Sequence, residues 1–155
     1  MASGALYRIC IAADYARDFM EKEFLNPSDL PDWRHVFSQV VVVKTGSIRT
    51  IYIAGQVSVD EHRNLIGEGN LQLQPRQTFS NLKRALAAAG ASTSDVVKIN
   101  IYMKHYKPSD ASVVREAFVW AFPHQNLPVS TWLGVESLAQ EGFLIEVDAV
   151  AVVEQ

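Results

Sequence analysis

Between Asp95 and Lys104 the chain alternates, with Val97, Ile99, Ile101 and Met103 on one side and Lys98, Asn100, Tyr102 and Lys104 on the other. That period of two is the signature of a half-buried strand. The period changes over Gln72–Ala89, where Phe79, Leu82, Leu86 and Ala89 recur at helical spacing and Gly90 follows as a left-handed cap. This predicts a helix. A second helix opens at Pro108-Ser109-Asp110 and carries the apolar stripe Val114, Ala117, Phe118, Ala121 and Phe122, ending before Pro123. The β-rich segments Val36–Lys44 and Thr50–Val57 flank the turn Thr45-Gly46-Ser47 and predict a hairpin. Val129–Val135 and Phe143–Val153 predict the last two strands.

The resulting order, ββαβαββ, is an α+β pattern in which two helices cover one face of a single sheet. Yet Val40 to Val43 are consecutive valines, and Val147, Ala149 and Ala151 interleave with Val150 and Val152, so several strands are apolar on both sides. The second face therefore needs a cover, and another copy of the chain is the economical one. Residues 1–34 are expected to form an N-terminal extension, set off by the turn formers Asn26-Pro27-Ser28-Asp29-Leu30-Pro31-Asp32, with the domain proper at 35–155. Within the extension, Asp14–Phe24 reads as a helix with Phe19 and Met20 on one side near Phe24. It would serve as a packing arm, a lid or an oligomer contact.

Composition narrows the function classes. A chain of 155 residues suits one domain. With 48% apolar and 20% charged residues and a net charge of −3, it has no electrostatic case for nucleic acid or anionic membranes. Small molecules are the expected partners. The single Cys10 precludes an internal disulfide and a paired-cysteine metal site, which fits a reducing, cytoplasmic setting. Arg8, Asp14, Arg17 and Asp18 interrupt the first twenty residues, so neither a signal-peptide core nor a spanning helix is expected there.

The candidate chemistry centres on Glu146, a carboxylate between Ile145 and Val147 in the last strand, facing away from both and sharing a face with Asp148. It is either an exposed or salt-bridged strand glutamate, or a desolvated acid whose raised pKa suits proton transfer near neutral pH. Gly55 supplies a strand position without a side chain, suited to a bulge or a close backbone approach. Ser130 points with Trp132 and Gly134, and no His-Ser-Asp arrangement accompanies it. Gly67-Glu68-Gly69 lacks the third glycine of a dinucleotide loop, and His35, His62, His105 and His124 have no metal-binding spacing. Neither a metal nor an organic cofactor is expected.

The segments Phe37-Ser38-Gln39, Ile53-Ala54-Gly55-Gln56-Val57, Gln77 with Asn81-Leu82-Lys83, Ala88-Ala89-Gly90, Asp95-Val96-Val97-Lys98 and Ile145 to Ala151 together resemble the Rid (YjgF-type) reactive intermediate deaminase family. The resemblance covers about Phe37 to Val152. It implies a chorismate-mutase-like fold and a homotrimer whose sheets form a central barrel with ligand clefts between subunits. It also implies hydrolysis of imine or enamine forms of 2-amino acids to 2-oxo acids and ammonia.

In register with the family, Glu146 takes the place of the water-positioning glutamate, Gly55 that of the cleft glycine, and Phe37 that of a tyrosine. Pro128 and Val129 match the Pro and Ala of a Pro-Ala-Arg-Ser segment, Thr131 matches its serine, and Ser130 stands where the carboxylate-binding arginine would be. That exchange forfeits a charge-assisted contact worth about 1.5–3 kcal/mol. Arg115 falls where an asparagine near the site is usual; it is a relocated cation or a solvated helix arginine. Trp132 is a cleft wall or interface packing.

The resemblance thus implies a homotrimer whose clefts contain Glu146 and Ser130 as catalytic candidates and Phe37, Gly55, Trp132 and Arg115 as substrate-binding ones. It would act as a hydrolase or tautomerase on a C=N or enamine substrate bulkier or less acidic than 2-iminopropionate. A non-catalytic metabolite-binding protein and a pathway enzyme with another reaction, such as cyclisation, are the alternatives.

Overall fold

The computed structural model describes residues 20–154. Eight elements follow in order: β1 (Glu21–Leu25), β2 (Val40–Thr45), β3 (Ile48–Val57), α1 (Gln74–Ala88), β4 (Val96–Lys104), α2 (Ala111–Ala121), β5 (Val129–Val135) and β6 (Ile145–Glu154). The strands form one six-stranded sheet in the order β1-β2-β3-β6-β4-β5. All neighbouring pairs are antiparallel except β4 and β5, which run parallel because α2 carries the chain back across the sheet. The expected α+β architecture is present, with one more strand than the ββαβαββ reading.

That additional strand corrects the reading of Asp14–Phe24 as a helix. Residues 14–19 lie outside the described part, but Glu21–Leu25 is extended and pairs with β2 from Glu21↔Lys44 to Leu25↔Val40. Met20 and Phe24 are 60% and 62% exposed, so the apolar stripe that a helix would need is not buried. An extended segment instead satisfies the open edge of β2. Glu21 and Glu23, two apart and hence on one side, flank Lys44 at 3.7 Å each. The turn cluster that follows anchors the segment, since Leu30 is only 2% exposed and belongs to the main core.

Both helices sit on one face. α1 contributes Phe79, Leu82, Ala85 and Leu86, and α2 contributes Val114, Ala117, Phe118 and Ala121. They meet Val40, Val42, Ile51, Ile53, Ile99, Ile101, Ile145 and Val147 from the sheet. Each such side chain contributes roughly 1.5–3 kcal/mol on burial. Phe79, Phe118 and Phe122 lock the helix layer, with Phe118 and Phe122 stacked at 4.6 Å and Phe79 edge-on to both. α1 ends as expected at Gly90, whose φ of 68° lets Gly90 and Ala91 donate back to Ala87 and Leu86.

The other face of the sheet, which carries Tyr52, Val150 and Val152, is covered by no element among the described residues. Tyr52 is 49% exposed. No described helix is long and apolar enough to cross a membrane.

Candidate functional site

A cleft of about 490 Å³ opens where β3 ends and β6 begins. Its geometry starts from an irregularity in β3. Ile53 pairs with Ala149 and Gln56 with Val147, so Ala54 and Gly55 together oppose one residue of β6. This β-bulge turns the strand and brings the Gly55 backbone toward Glu146. A β-carbon at position 55 would overlap Glu146 Oε1 and lie 2.8 Å from its Cδ. The carboxylate therefore occupies the space left by the missing side chain, and both Gly55 and Glu146 line the cleft.

The bulge is pinned by amides. Buried Gln56 donates to Gln39 Oε1 at 2.9 Å and to the Ala54 carbonyl at 3.0 Å, while Gln39 donates to the Pro31 carbonyl at 2.9 Å. The Ala54 N–H donates to the Gln39 carbonyl, also at 3.0 Å. These bonds tie the bulge to the 31–39 segment, which brings Trp33, Val36 and Phe37 to the wall. Val36 and Phe37 form a turn, both donating to the Trp33 carbonyl, and the Trp33 and Phe37 rings stack at 6.3 Å. The expected strand over Val36–Lys44 therefore begins only at Val40.

The facing wall is Val57, Ala139, Gln140 and Phe143. It is fastened to α1 by three polar side chains set among that helix's apolar ones. Asn81 donates to the carbonyls of Val57 and Val59 at 2.9 and 2.8 Å, and Gln77 reaches the latter at 3.3 Å. Gln74 donates to the Gly67 and Gly142 carbonyls and accepts from the Leu144 N–H. Each buried carbonyl is thereby satisfied, which holds the loop carrying Phe143 in place.

Among the described lining residues Glu146 is the one ionisable group. Burial, and secondarily the Asp148 carboxylate, push its pKa above the ordinary glutamate value. Asp148 accepts from Asn100 Nδ2 at 2.8 Å. Tyr102 lies opposite Glu146 across the β4–β6 ladder. Its hydroxyl is pushed up by desolvation first and by Asp148 next. The result is an apolar cleft holding one carboxylic acid whose burial makes it a stronger proton acceptor than an ordinary glutamate.

Of the six residues singled out in the sequence, the structure brings Phe37, Gly55 and Glu146 together. Ser130 and Trp132 lie on β5, separated from β6 by β4, and point to the helix side of the sheet. Trp132 packs against the main core and donates from Nε1 to Ser130 Oγ at 3.0 Å. Arg115 is exposed on α2, whose buried stripe is Val114, Ala117, Phe118 and Ala121, so it sits in the helix layer away from the open face. Trp33, Val36, Gln140 and Phe143 were not anticipated. The amides of α1 left a trace, because Gln74, Gln77 and Asn81 fall at helical spacing along the face that packs inward.

This fold is that of a known class: the family model described as Endoribonuclease L-PSP matches residues 28–153. The chain belongs to that family, which is the YjgF/Rid family. It is 30% identical to a 2-iminobutanoate/2-iminopropanoate deaminase of Dermatophagoides farinae over 120 residues, covering 76% of this chain and 86% of that protein. The corresponding protein of Rattus norvegicus is 30% identical over 131 residues, covering 84% and 90%. Among solved structures, RidA from an Antarctic Psychrobacter superposes with a TM-score of 0.71 at 30% identity, covering 84% of this chain and 99% of that one.

Proposed function

We propose that the protein is a hydrolase of a small imine or enamine, needing neither metal nor organic cofactor and acting in the cytoplasm as a homotrimer. The observation that carries this reading is the Glu146 carboxylate held over Gly55 in an apolar cleft. With a protonated imine in the cleft, Glu146 takes a proton from water as the water oxygen bonds to the imine carbon and the C=N π pair moves onto nitrogen. Glu146 then returns that proton to the carbinolamine nitrogen. The C–N bond breaks, ammonia leaves, and the hydroxyl proton passes through Glu146 to it, so iminium plus water gives carbonyl plus ammonium. An enamine enters the same route once protonated Glu146 supplies its carbon with a proton.

The trimer is supported by the uncovered sheet face and by β5, whose Val129 and Leu133 are exposed at the sheet edge. In that assembly β5 of a neighbouring copy, with Ser130 and Trp132 on it, closes the cleft. The net charge of −3 supplies no footprint for RNA, so the endoribonuclease in the family description is not carried over.

The test is ammonia release from imines generated in situ. Glu146→Gln, nearly isosteric, should lower the rate by roughly 10²–10⁴-fold with an unchanged circular dichroism spectrum. A variant as active as the parent removes Glu146 from the chemistry. No release by the parent protein would favour the non-catalytic, metabolite-binding alternative.

A further inference from the structure

We infer that the cleft is built for an imine or enamine that carries a ring-sized apolar substituent and no carboxylate, of the kind formed by oxidation of an arylalkyl amine. This rests on the imine-directed reading above and names the substrate class it leaves open. The cleft walls are three rings, Trp33, Phe37 and Phe143, with Val36 and Val57 between them. Before a neighbouring β5 closes it, the cleft measures about 490 Å³, within the range of small-molecule sites.

Charge points the same way. Glu146 is the only ionisable group among the described lining residues, and Asp148 follows it on the same face of β6. A substrate carboxylate beside Glu146 would add a further negative charge to a partly desolvated place already holding two, which is unfavourable without a cation to offset it. A protonated imine without a carboxylate meets the opposite situation, since its positive nitrogen is attracted to Glu146. Ser130 offers no replacement cation; its hydroxyl oxygen accepts from Trp132 Nε1 at 3.0 Å, leaving at most one neutral donor.

Two guanidiniums belong to the surroundings of the walls: Arg34, next to Trp33 in the chain, is paired with Asp32 at 2.8 Å, and Arg63 is stacked over Trp33 at 5.2 Å from the ring centroid. Neither is among the lining residues. The Arg63 backbone, at a left-handed φ of 69°, belongs to a tight loop in which the Asp60 carboxylate accepts from His62 and Asn64. This arginine buttresses the outer wall.

The full-length protein would be given two imines matched in side chain: one produced from phenylethylamine by an amine oxidase, the other from phenylalanine by an amino-acid oxidase. Loss of each imine is followed by semicarbazide trapping. The carboxylate-free imine should show a kcat/KM higher on the order of tenfold or more, and Arg63→Gln should leave the ratio of the two values unchanged. Equal or faster turnover of the carboxylate-bearing imine overturns the inference. If Arg63→Gln abolishes that turnover, Arg63 is the anchor instead.

Binding of the two products, read by quenching of tryptophan fluorescence, separates this inference from the catalytic reading. If neither imine is consumed, the catalytic reading falls. Tighter binding of phenylacetaldehyde than of phenylpyruvate would still support the substrate class, and the reverse order would sink it.

Discussion

Replacing Gly55 with alanine adds one carbon at the most crowded point of the cleft. The new Cβ would overlap Glu146 Oε1 and stand 2.8 Å from Cδ, closer than real contacts allow. The neighbour that must move is the far end of a flexible side chain, and Gly55 does not have the positive φ that would strain an alanine backbone. Swinging Glu146 off its preferred rotamer costs about 0.5–1.5 kcal/mol. Lowering the entropy of the unfolded chain returns about 0.4–1 kcal/mol. Folding stability should therefore change by no more than about 1 kcal/mol. Activity should respond differently, because displacing a catalytic group by about 1 Å costs on the order of 10²-fold. The assay pairs thermal unfolding with ammonia release, and repeats the latter in a Glu146→Gln background, where Gly55→Ala should add no further loss of activity. A Gly55→Ala protein with full activity, or an equal additional loss without Glu146, would refute the contact as the reason for the glycine.

Two further outcomes follow from the same geometry. Because the folded-state pKa of Glu146 is raised, its ionisation opposes folding: the acid form is tolerated at low pH, and stability is lost as pH rises from the ordinary glutamate value through the folded one. Glu146→Gln should thus be more stable than the parent at neutral pH, with the gain shrinking to nothing below the ordinary glutamate range; urea titrations at several pH values would measure it, and a pH-independent difference would contradict the burial of the acid. Light scattering should give three times the 17.2 kDa chain mass at micromolar concentration, whereas a monomer would leave the open sheet face without its proposed cover.

The sequence disclosed most of the fold because the elements obey their own periods. Ile99–Lys104 is buried on alternate positions as its pattern announced, although Val97, expected on the same face, is exposed beside a register shift between Val96 and Lys98; Gln74–Ala88 buries the stripe its spacing announced, stopped by Gly90 where a left-handed residue was needed. The direction of Glu146 was legible by parity, since Ile145 and Val147 are buried and it must face the other way, whereas its candidacy for the site came from the family resemblance. Two things were hidden. Glu21–Leu25 has only Phe24 and Leu25 as apolar residues, so its strand comes from pairing with β2 rather than from pattern. The walls of the cleft come from turns at Trp33–Phe37 and Ala139–Phe143, whose course depends on bonds from Gln39, Gln56 and Gln74, the last two far away in sequence. Local pattern carries no record of such long-range partners.

Those amide bonds also decide how the molecule reports on its contents. The loops around the cleft are fastened through Gln74, Gln77 and Asn81 to the helix whose other residues, Phe79, Leu82 and Leu86, are the centre of the core. The cleft and the core are consequently one cooperative unit, and a compound that settles between Trp33 and Phe143 is coupled to global unfolding rather than to local fraying. At a hundred times its dissociation constant such a compound adds about 2.7 kcal/mol to the unfolding free energy. For a chain of this size that is a rise of roughly 5–10 °C in melting temperature. The protein's own thermal transition can therefore pick its substrate out of a metabolite library, with no colour reaction and whatever bond the enzyme breaks.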